Sequence, residues 1–205
     1  MFTGIITALG TVSNAEDRGD RHLRIACPWD PEKIAIGASI ACSGVCLTVV
    51  ETGGSAGRMW FAVDVSGETV SRTVHGMWEA GRKLNLEPAL KLGDELGGHL
   101  VTGHVDAVGI VADRREEGGS IRLAIHAPAA IAQYIAPKGS ITVDGVSLTV
   151  NTVSDEADGS TVFGLNIIPH TAEVTTLGGL GQGDAVNLEI DVLARYLQRM
   201  QSLRS

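Results

Sequence analysis

A cysteine and a serine occupy equal positions in two copies of one short sequence. Residues 39–49 read Ser-Ile-Ala-Cys-Ser-Gly-Val-Cys-Leu-Thr-Val, residues 140–150 read Ser-Ile-Thr-Val-Asp-Gly-Val-Ser-Leu-Thr-Val, and seven of the eleven positions are identical. The chemically important difference is that the first copy has Cys46 where the second has Ser147. A thiol or a hydroxyl can act as a nucleophile when a base lies within hydrogen-bond reach. This pair is therefore the first candidate for function.

Two histidines could supply that base. His99 and His104 lie in the stretch Gly-Gly-His-Leu-Val-Thr-Gly-His-Val, and His104 stands where the first half of the chain has Ile5. Imidazole titrates near neutral pH, so His104 is a candidate for proton transfer that only the second half possesses. The remaining histidines without an evident partner are expected at the surface: His22, His75 and His126.

The same residues also suit a binding role. A cysteine in a strand rich in Ile and Val is commonly a small core residue. Positions i and i+2 of a strand face the same side, so Cys46 with Thr48, and Ser147 with Thr149, would each present two polar groups to one surface. Such a surface suits a ligand pocket. Nucleophilic and hydrogen-bonding roles both stay open, and Asp191 is either a site residue or the N-cap of the tail helix.

The repetition extends along the chain in three blocks. Residues 1–12 match residues 100–111 at an offset of 99, and the block ending Asn85-Leu86-Glu87 matches the one ending Asn187-Leu188-Glu189 at an offset of 102. Each unit holds about six short strands and one short helix, separated by turn signals, which predicts a small antiparallel barrel. We expect barrels at residues 1–97 and 98–190, with Gly97-Gly98 as a hinge, and a helix at 191–205.

Local patterns predict the elements of the first unit. Residues 1–12 are expected to form a strand, residues 33–36 a short helix capped by Asp30, and residues 53–57 a glycine-rich loop. The counterpart helix is expected at 129–136. In the tail, Val192, Tyr196, Met200 and Leu203 recur at helical spacing, which predicts an amphipathic helix. Its apolar stripe would pack either on its own barrel or against identical helices in an oligomer.

Composition excludes several classes of function. The net charge is −8, and no run of basic residues is longer than Arg114-Arg115, so neither nucleic acid nor an anionic membrane surface is an expected partner. No apolar run approaches the 18 residues of a membrane span. Three cysteines and an N-terminus without signal-peptide features indicate a cytoplasmic protein. Cys42 and Cys46 lack a second pair at zinc-site spacing, so no metal site is expected.

These motifs together resemble riboflavin synthases of the alpha-chain type. The resemblance rests on Met-Phe-Thr-Gly-Ile at the start, the Cys-Leu-Thr-Val and Ser-Leu-Thr-Val repeats, Gly-Gly-His-Leu-Val-Thr-Gly-His-Val-Asp, and Asn-Leu-Glu-Ile-Asp-Val, and it runs to about residue 200. It implies an all-β fold of two similar six-stranded antiparallel Greek-key barrels in tandem plus a C-terminal α-helix. It also implies a dismutation of two 6,7-dimethyl-8-ribityllumazine molecules, giving riboflavin and 5-amino-6-ribitylaminopyrimidinedione without cofactor or metal.

The resemblance implies two pockets, one for each barrel. It assigns to the first pocket Gly4, Ile5, Ile6, Cys46, Leu47, Thr48, Asp64, Val65, Ser66, Gly67, Glu68 and Thr69. It assigns to the second Gly103, His104, Val105, Lys138, Ser147, Leu148, Thr149, Asn166, Ile167, Ile168, Pro169, His170 and Thr171. The polar residues expected to assist catalysis are Cys46, His104, Ser147, Thr149 and Asp191, with Phe2 nearby.

The resemblance also implies an assembly. In such proteins a homotrimer forms through the C-terminal helix, each active site lies between subunits, and a lumazine synthase shell is a partner in some organisms. One local departure is Cys42-Ser43 before Gly44, where the family more often has Asn or Asp before the glycine. The alternative is a non-catalytic antenna protein that holds a lumazine or flavin in the same duplicated barrel.

Overall fold

The first half of the chain forms a closed barrel. The structure is a computed structural model that describes residues 1–203. Six antiparallel strands close in the order β1-β2-β5-β4-β3-β6, with β6 paired to β1. Helix α1 (Gly67–Arg72) follows β5. The strands are β1 (Ala8–Arg18), β2 (Asp20–Cys27), β3 (Ser39–Cys42), β4 (Val45–Ser55), β5 (Arg58–Val65) and β6 (Lys83–Pro88).

The second half repeats this order with one strand divided. Its sheet runs β10-β9-β13-β7-β8-β12-β11, and its two ends, β10 and β11, are consecutive in the chain. They correspond to the single strand β4, which carries a bulge between Val49 and Glu51. At the equivalent place Asn151 N donates to Gly164 O (2.8 Å). The strands are β7 (Ala107–Glu117), β8 (Ser120–Ala127), β9 (Ser140–Val143), β10 (Val146–Thr149), β11 (Thr152–Asp155), β12 (Thr161–Ile167) and β13 (Ala185–Ile190).

The predicted all-β class with two tandem barrels and a tail helix is confirmed, with the second sheet counting seven strands because of that division. Alternating side chains fill each interior, as period-two strands require. Phe61 and Phe163, both fully buried, lie at equivalent positions of the two cores. Three short helices complete the chain: α2 (Ala129–Ala132), α3 (Pro169–Val174) and α4 (Val192–Ser202).

The two copies of the duplicated sequence meet at their turns. Ser43-Gly44 and Asp144-Gly145 face each other, and a Cβ built on Gly145 would lie 2.6 Å from Gly44 N. Both glycines have positive φ, +84° and +79°, which only glycine adopts without strain. Asn85 Nδ2 donates to Asp144 O (2.9 Å), and Asn187 Nδ2 donates to Ser43 O (3.0 Å). The barrels are thus joined by an approximately twofold set of buried contacts.

Several local predictions were wrong. The strand expected at 1–12 begins at Ala8, because residues 1–7 run toward the other barrel, where Phe2 pairs with Val101. The loop expected at 53–57 is largely strand β4, and Gly53 leaves room for the Trp60 ring, whose nearest atom would lie 2.5 Å from a Cβ. The first short helix is a 3₁₀ turn over Pro31–Lys33, capped by Asp30 as predicted. Its counterpart ends early, at Ala132.

The tail helix α4 lies on the surface with its apolar stripe uncovered. Asp191 caps it by accepting a hydrogen bond from Leu193 N (2.9 Å), so the N-cap alternative for this residue is confirmed. No residue of the helix is buried, and the structure does not pack the stripe on its own barrel. The end of the predicted 191–205 segment, residues 204 and 205, lies outside the described residues. The exposed apolar side chains are Leu193, Tyr196, Leu197, Met200 and Leu203.

Candidate functional site

The Cys46 and Ser147 strands present polar groups on one face, as the spacing predicted. Cys46 is half-buried and Thr48 exposed, whereas Val45, Leu47 and Val49 point into the barrel. In β10, Ser147 is half-buried and Thr149 exposed. We call the surface around Cys46 and Thr48 the first half-site and the surface around Ser147 and Thr149 the second. At equivalent positions, the first carries a thiol and a hydroxyl group, and the second carries two hydroxyl groups.

Each half-site is completed by a segment from the other half of the chain. We name residues 2–6 and 101–105 the leading segments. Gly103 O accepts a hydrogen bond from Cys46 N (2.8 Å), and Gly4 O accepts one from Ser147 N (2.8 Å). The backbones approach so closely that a Cβ on Gly103 would lie 2.7 Å from Cys46 Cβ, and one on Gly4 would lie 2.5 Å from Ser147 Cβ. Glycine is therefore required at both places.

This exchange corrects the grouping that the resemblance implied. Ile6 packs against the core of the second barrel, and Val105 packs against the core of the first. The segment Gly103-His104-Val105 thus lies with Cys46, and Gly4-Ile5-Ile6 lies with Ser147. His104 and Ile5 are both exposed. The assignment of each leading segment to the pocket of its own barrel was wrong, because a repeat match shows equivalence and not which copy lies nearby.

His99 is paired with the serine of the second half-site. Its Nδ1 lies 2.8 Å from Ser147 Oγ in a hydrogen bond, while its buried Nε2 has no partner among the described residues. Burial lowers the pKa of His99 below its ordinary value, and the negative charge of Asp191 opposes that shift. The ring is therefore neutral at pH 7 and able to accept a proton. Of the two candidate bases, His99 contacts a candidate nucleophile through its side chain.

Two buried glutamates that the sequence did not single out hold the leading segments. Glu87 accepts hydrogen bonds from Thr3 and Gly4, and Glu189 accepts them from Thr102, Gly103 and His104. Burial raises the pKa of both carboxyl groups, and these hydrogen bonds oppose the rise. The signal was present in the repeated Asn-Leu-Glu block, but nothing in the sequence shows what a repeated glutamate contacts.

A histidine and an aspartate on neighbouring strands of the first barrel, β2 and β5, form a hydrogen-bonded pair. His22 Nδ1 lies 2.7 Å from Asp64 Oδ1, and His22 is only 8% exposed, so its prediction as a surface residue was wrong. His126 is also half-buried and contacts Ser160 Oγ (2.9 Å), which corrects that prediction too. His75 is exposed as expected. Sequence could not find these pairs because their partners lie on neighbouring strands.

Most of the remaining predicted residues lie at the ends of β5 and β12 and in the segments that follow them, while Lys138 precedes β9 and Leu148 lies in β10. Val65 and Ile167 are buried at the ends of β5 and β12, and Ser66 caps α1 by accepting from Thr69 N (3.2 Å). Phe2 is fully buried in a small cluster against which Cys46 packs. The exposed or half-exposed members are Asp64, Gly67, Glu68, Thr69, Lys138, Leu148, Asn166, Ile168, Pro169, His170 and Thr171.

These half-sites are open surfaces in the single chain. A cavity of about 730 Å³ lies between the barrels beside Asp144, and one of about 710 Å³ lies beside Trp29. Two smaller cavities lie at Ile135 and at Ile5. Among the described residues, Cys46, His104 and Ser147 line none of these four cavities.

All three cysteines are free thiols, and burial raises the pKa of the Cys27 and Cys42 thiols. Within residues 1–203, no group of three or more His, Cys, Asp or Glu side chains is arranged to hold a metal ion. The described helices include none with the length and apolar character that a membrane crossing requires.

Comparison with known proteins gives one consistent family. The model of the lumazine binding domain matches twice, at residues 3–89 and 102–191. The riboflavin synthase of Brucella abortus (strain 2308) is 49% identical over 204 residues, which cover 98% of each chain. The crystal structure of LumP complexed with riboflavin aligns at a TM-score of 0.78 and 26% identity, covering 93% of this chain and 99% of that one. LumP complexed with 6,7-dimethyl-8-(1'-D-ribityl) lumazine aligns at 0.74 and 25%, with the same coverage.

The doubled half-site, the two tandem barrels and the match along almost the whole chain agree. The chain belongs to the lumazine-binding-domain family and, within it, to the riboflavin synthases, which are transferases.

Proposed function

We propose that this chain converts two molecules of 6,7-dimethyl-8-ribityllumazine into riboflavin and 5-amino-6-ribitylaminopyrimidinedione by moving a four-carbon unit from one to the other. The two products together contain the atoms of the two substrates, so the reaction needs no external oxidant or reductant. The observation that carries the proposal is the duplicated half-site, which offers two equivalent binding surfaces for two copies of one substrate.

The unequal groups of the half-sites support unequal roles for the two substrates. One half-site combines Cys46 and Thr48 with the leading segment of His104, and the other combines Ser147 and Thr149 with His99. One bound lumazine can then act as donor and the other as acceptor. Most of the rate acceleration would come from holding the two rings stacked and oriented. Proton transfer or addition at the ring would be assisted by His104, Cys46 and Ser147.

The substrate's side chain is consistent with this surface. A ribityl chain is uncharged and carries several hydroxyl groups, so it needs hydrogen-bonding partners and no basic cleft. Exposed Thr48, Thr149 and the ends of β5 and β12 provide such groups on a protein of net charge −8. The substrate-binding residues named above by resemblance remain predictions.

A double variant tests the assignment of catalytic roles. Replacing Cys46→Ser together with His104→Gln should lower kcat, since both changes act in one half-site and remove the thiol and the imidazole. Full turnover by the double variant, measured as riboflavin formation, would show that the assignment is wrong.

We infer a homotrimer with each active site between subunits. The open half-sites and the uncovered stripe of α4 support it, because both need a neighbour to exclude water. The same proposal includes domain boundaries at 1–97, 98–190 and 191–205 and an association with lumazine synthase. It also includes a cytoplasmic location, which the free thiols support. Native mass spectrometry should give three times the 21.4 kDa chain mass, and a monomer would contradict the trimer.

Incubation of the purified protein with the lumazine distinguishes enzyme from antenna. Appearance of riboflavin and disappearance of two lumazine molecules for each riboflavin formed is the expected result. A tightly held, fluorescent lumazine with no product would instead support the antenna alternative. Neither binding nor product would overturn both.

A further inference from the structure

The last strand of each barrel carries one buried glutamate, and the two glutamates make matched sets of hydrogen bonds. Glu87 on β6 is 4% exposed, and its carboxylate accepts from Thr3 N (2.7 Å), Thr3 Oγ1 (2.8 Å) and Gly4 N (2.9 Å). A buried carboxylate needs several donors to offset its lost hydration. Here these three donors all belong to the leading segment of residues 2–6, so the carboxylate fixes the backbone of that segment.

Glu189 on β13 makes the corresponding set with one addition. It is 2% exposed and accepts from Thr102 N (2.7 Å), Thr102 Oγ1 (2.6 Å) and Gly103 N (2.9 Å). It also accepts from His104 N (3.1 Å), whereas the equivalent Ile5 N donates to Thr3 Oγ1 (3.2 Å). The backbone of the one leading segment that carries an imidazole is therefore held directly at the histidine.

The held segments act on the opposite barrel. Glu189 and Gly103 belong to the second half, but Gly103 O receives Cys46 N from the first. Glu87 and Gly4 belong to the first half, but Gly4 O receives Ser147 N from the second. Each glutamate is thus two hydrogen bonds away from the half-site of the other barrel.

We propose that Glu189 and Glu87 are positioning residues that act across the barrels: Glu189 sets His104 beside the Cys46 half-site, and Glu87 sets Ile5 beside the Ser147 half-site. The geometry stands independently, and the consequence for ligand binding rests on the proposed function. A change in one barrel should therefore alter the half-site of the other.

Replacement by glutamine is the appropriate change, because it keeps the size of the side chain. Glutamine has one acceptor oxygen, and its amide group would face the N–H donors that the second carboxylate oxygen now accepts. Part of the leading segment should be released. Glu189→Gln and Glu87→Gln serve as controls for each other, since both glutamates are buried, near the same depth, in equivalent strands.

Amide hydrogen exchange measured by NMR tests the positioning without any ligand. In Glu189→Gln the Cys46 amide should exchange at least about tenfold faster while the Ser147 amide is unchanged, because the Gly103 carbonyl group that accepts from the Cys46 amide is then held less firmly. Glu87→Gln should give the reverse. Equal effects on both amides, or none, would overturn the proposal.

If a glutamine variant does not fold, a milder pair replaces it. Thr102→Val and Thr3→Val each remove one hydroxyl donor to one glutamate. The same crossed pattern is expected at a smaller size, about threefold, in line with a weaker single hydrogen bond. Exchange that changes only in the barrel that carries the substitution would contradict the proposal.

A thiol assay tests the functional consequence. Riboflavin should slow modification of half-buried Cys46 by N-ethylmaleimide, and Glu189→Gln should weaken this protection about tenfold while Glu87→Gln leaves it intact. In the swapped background Cys46→Ser, Ser147→Cys, the two glutamine variants should exchange roles. Protection weakened by the glutamate of the same barrel would overturn the proposal. If riboflavin protects the thiol neither in the parent nor in the swapped protein, both with their glutamates intact, that would count against the proposed function. The amide hydrogen exchange result would still decide the positioning.

Discussion

His99 combines three properties at one residue. Its Nδ1 is hydrogen-bonded to Ser147 Oγ, its Nε2 is buried, and Asp191 lies near enough for its charge to act on the ring. Burial lowers its pKa, so the neutral ring persists below the pH at which an ordinary histidine becomes charged. A ring that stays neutral can take a proton from Ser147, or through it, during the reaction.

Replacing His99→Asn should keep a hydrogen-bonding group near Ser147 but remove the proton acceptor. We expect kcat to fall on the order of 100-fold, as general acid–base groups commonly contribute. In the parent we expect kcat to decline on the acid side as this ring becomes protonated, and we expect the decline to disappear in the variant. Steady-state kinetics from pH 5 to 9 measure both effects, with His126→Gln as control because that ring is hydrogen-bonded to Ser160 and belongs to neither half-site. Unchanged kcat and an unchanged pH profile would remove His99 from the chemistry.

Asp144 is a buried carboxyl group at the contact between the barrels. Its Oδ1 accepts from Asn187 N (2.8 Å), and burial raises its pKa to about 7, with Arg82 opposing the shift. The unfolded chain loses this proton near the ordinary value of 3.8, and the folded chain loses it near 7. Stability therefore falls as pH rises between these two values and is lowest, for this group, above them.

Asp144→Asn should stabilise the protein at alkaline pH. Asparagine keeps an oxygen for Asn187 N, tolerates the positive φ of +47° and cannot ionise. At pH 8 we expect a gain on the order of 2–4 kcal/mol in the free energy of unfolding, and almost none at pH 4. Urea unfolding at the two pH values measures it. Asp20→Asn, at the exposed start of β2, is the control, and an equal gain at both pH values would contradict the explanation.

At the scale of elements, the first turn of α4 is attached to the rest of the molecule. Asp191 caps it, and Arg195 makes a two-point ion pair with Asp106 at 2.7 and 2.8 Å. Beyond that first turn, Tyr196 and Leu197 are 65% and 58% exposed. A helix of 11 residues is marginal without a packed face, and its uncovered stripe therefore supports the proposed assembly.

Leu197→Glu combined with Met200→Glu should abolish the oligomer without unfolding the chain. Both side chains are exposed in the single chain, so the barrels should keep their unfolding midpoint at low protein concentration. Gln201→Glu is the matched control on the same helix. Analytical ultracentrifugation and turnover measure the result, and loss of turnover should accompany loss of the oligomer. A double variant that stays fully oligomeric would rule out α4 as the contact.

At the scale of the molecule, the two barrels are joined by their own duplicated turns. Gly44 and Gly145 allow the backbones to touch, and Asn85 and Asn187 satisfy the polar groups that the contact buries. The leading segments cross over the same boundary. Contacts between the repeats therefore fix the relative placement of the half-sites, in addition to the covalent connection through Gly97-Gly98.

Gly145→Ala should destabilise the protein more than Gly183→Ala does. Both glycines have positive φ, +79° and +90°, so each change costs about 1–2 kcal/mol of backbone strain. An alanine at 145 would also meet Gly44 N at 2.6 Å, whereas no atom lies within 4 Å at 183. We expect an extra loss on the order of 1–3 kcal/mol from this overlap. Thermal unfolding measures the difference, and equal losses would show that the contact yields.

The sequence by itself determined the duplication, the barrel class and the polar face of the central strands. These are local properties. Period-two alternation places Cys46 and Thr48 on the same face of a strand whatever the neighbouring strands are, and a glycine at a turn indicates the backbone conformation at its own position. The N-cap role of Asp191 was likewise visible, because a cap acts within two residues of itself. Family motifs added the chemistry that these positions serve.

Only the tertiary structure decided which segment completes which half-site. A repeat makes residues 4 and 103 equivalent, and equivalence leaves two arrangements, with each leading segment on its own barrel or on the other. The structure shows the exchanged one, and with it the pairing of His104 with Cys46, the two clamping glutamates and the burial of His22. Each of these depends on contacts between residues more than 40 positions apart, which no local pattern specifies, because burial and hydrogen bonding are settled when the barrels pack.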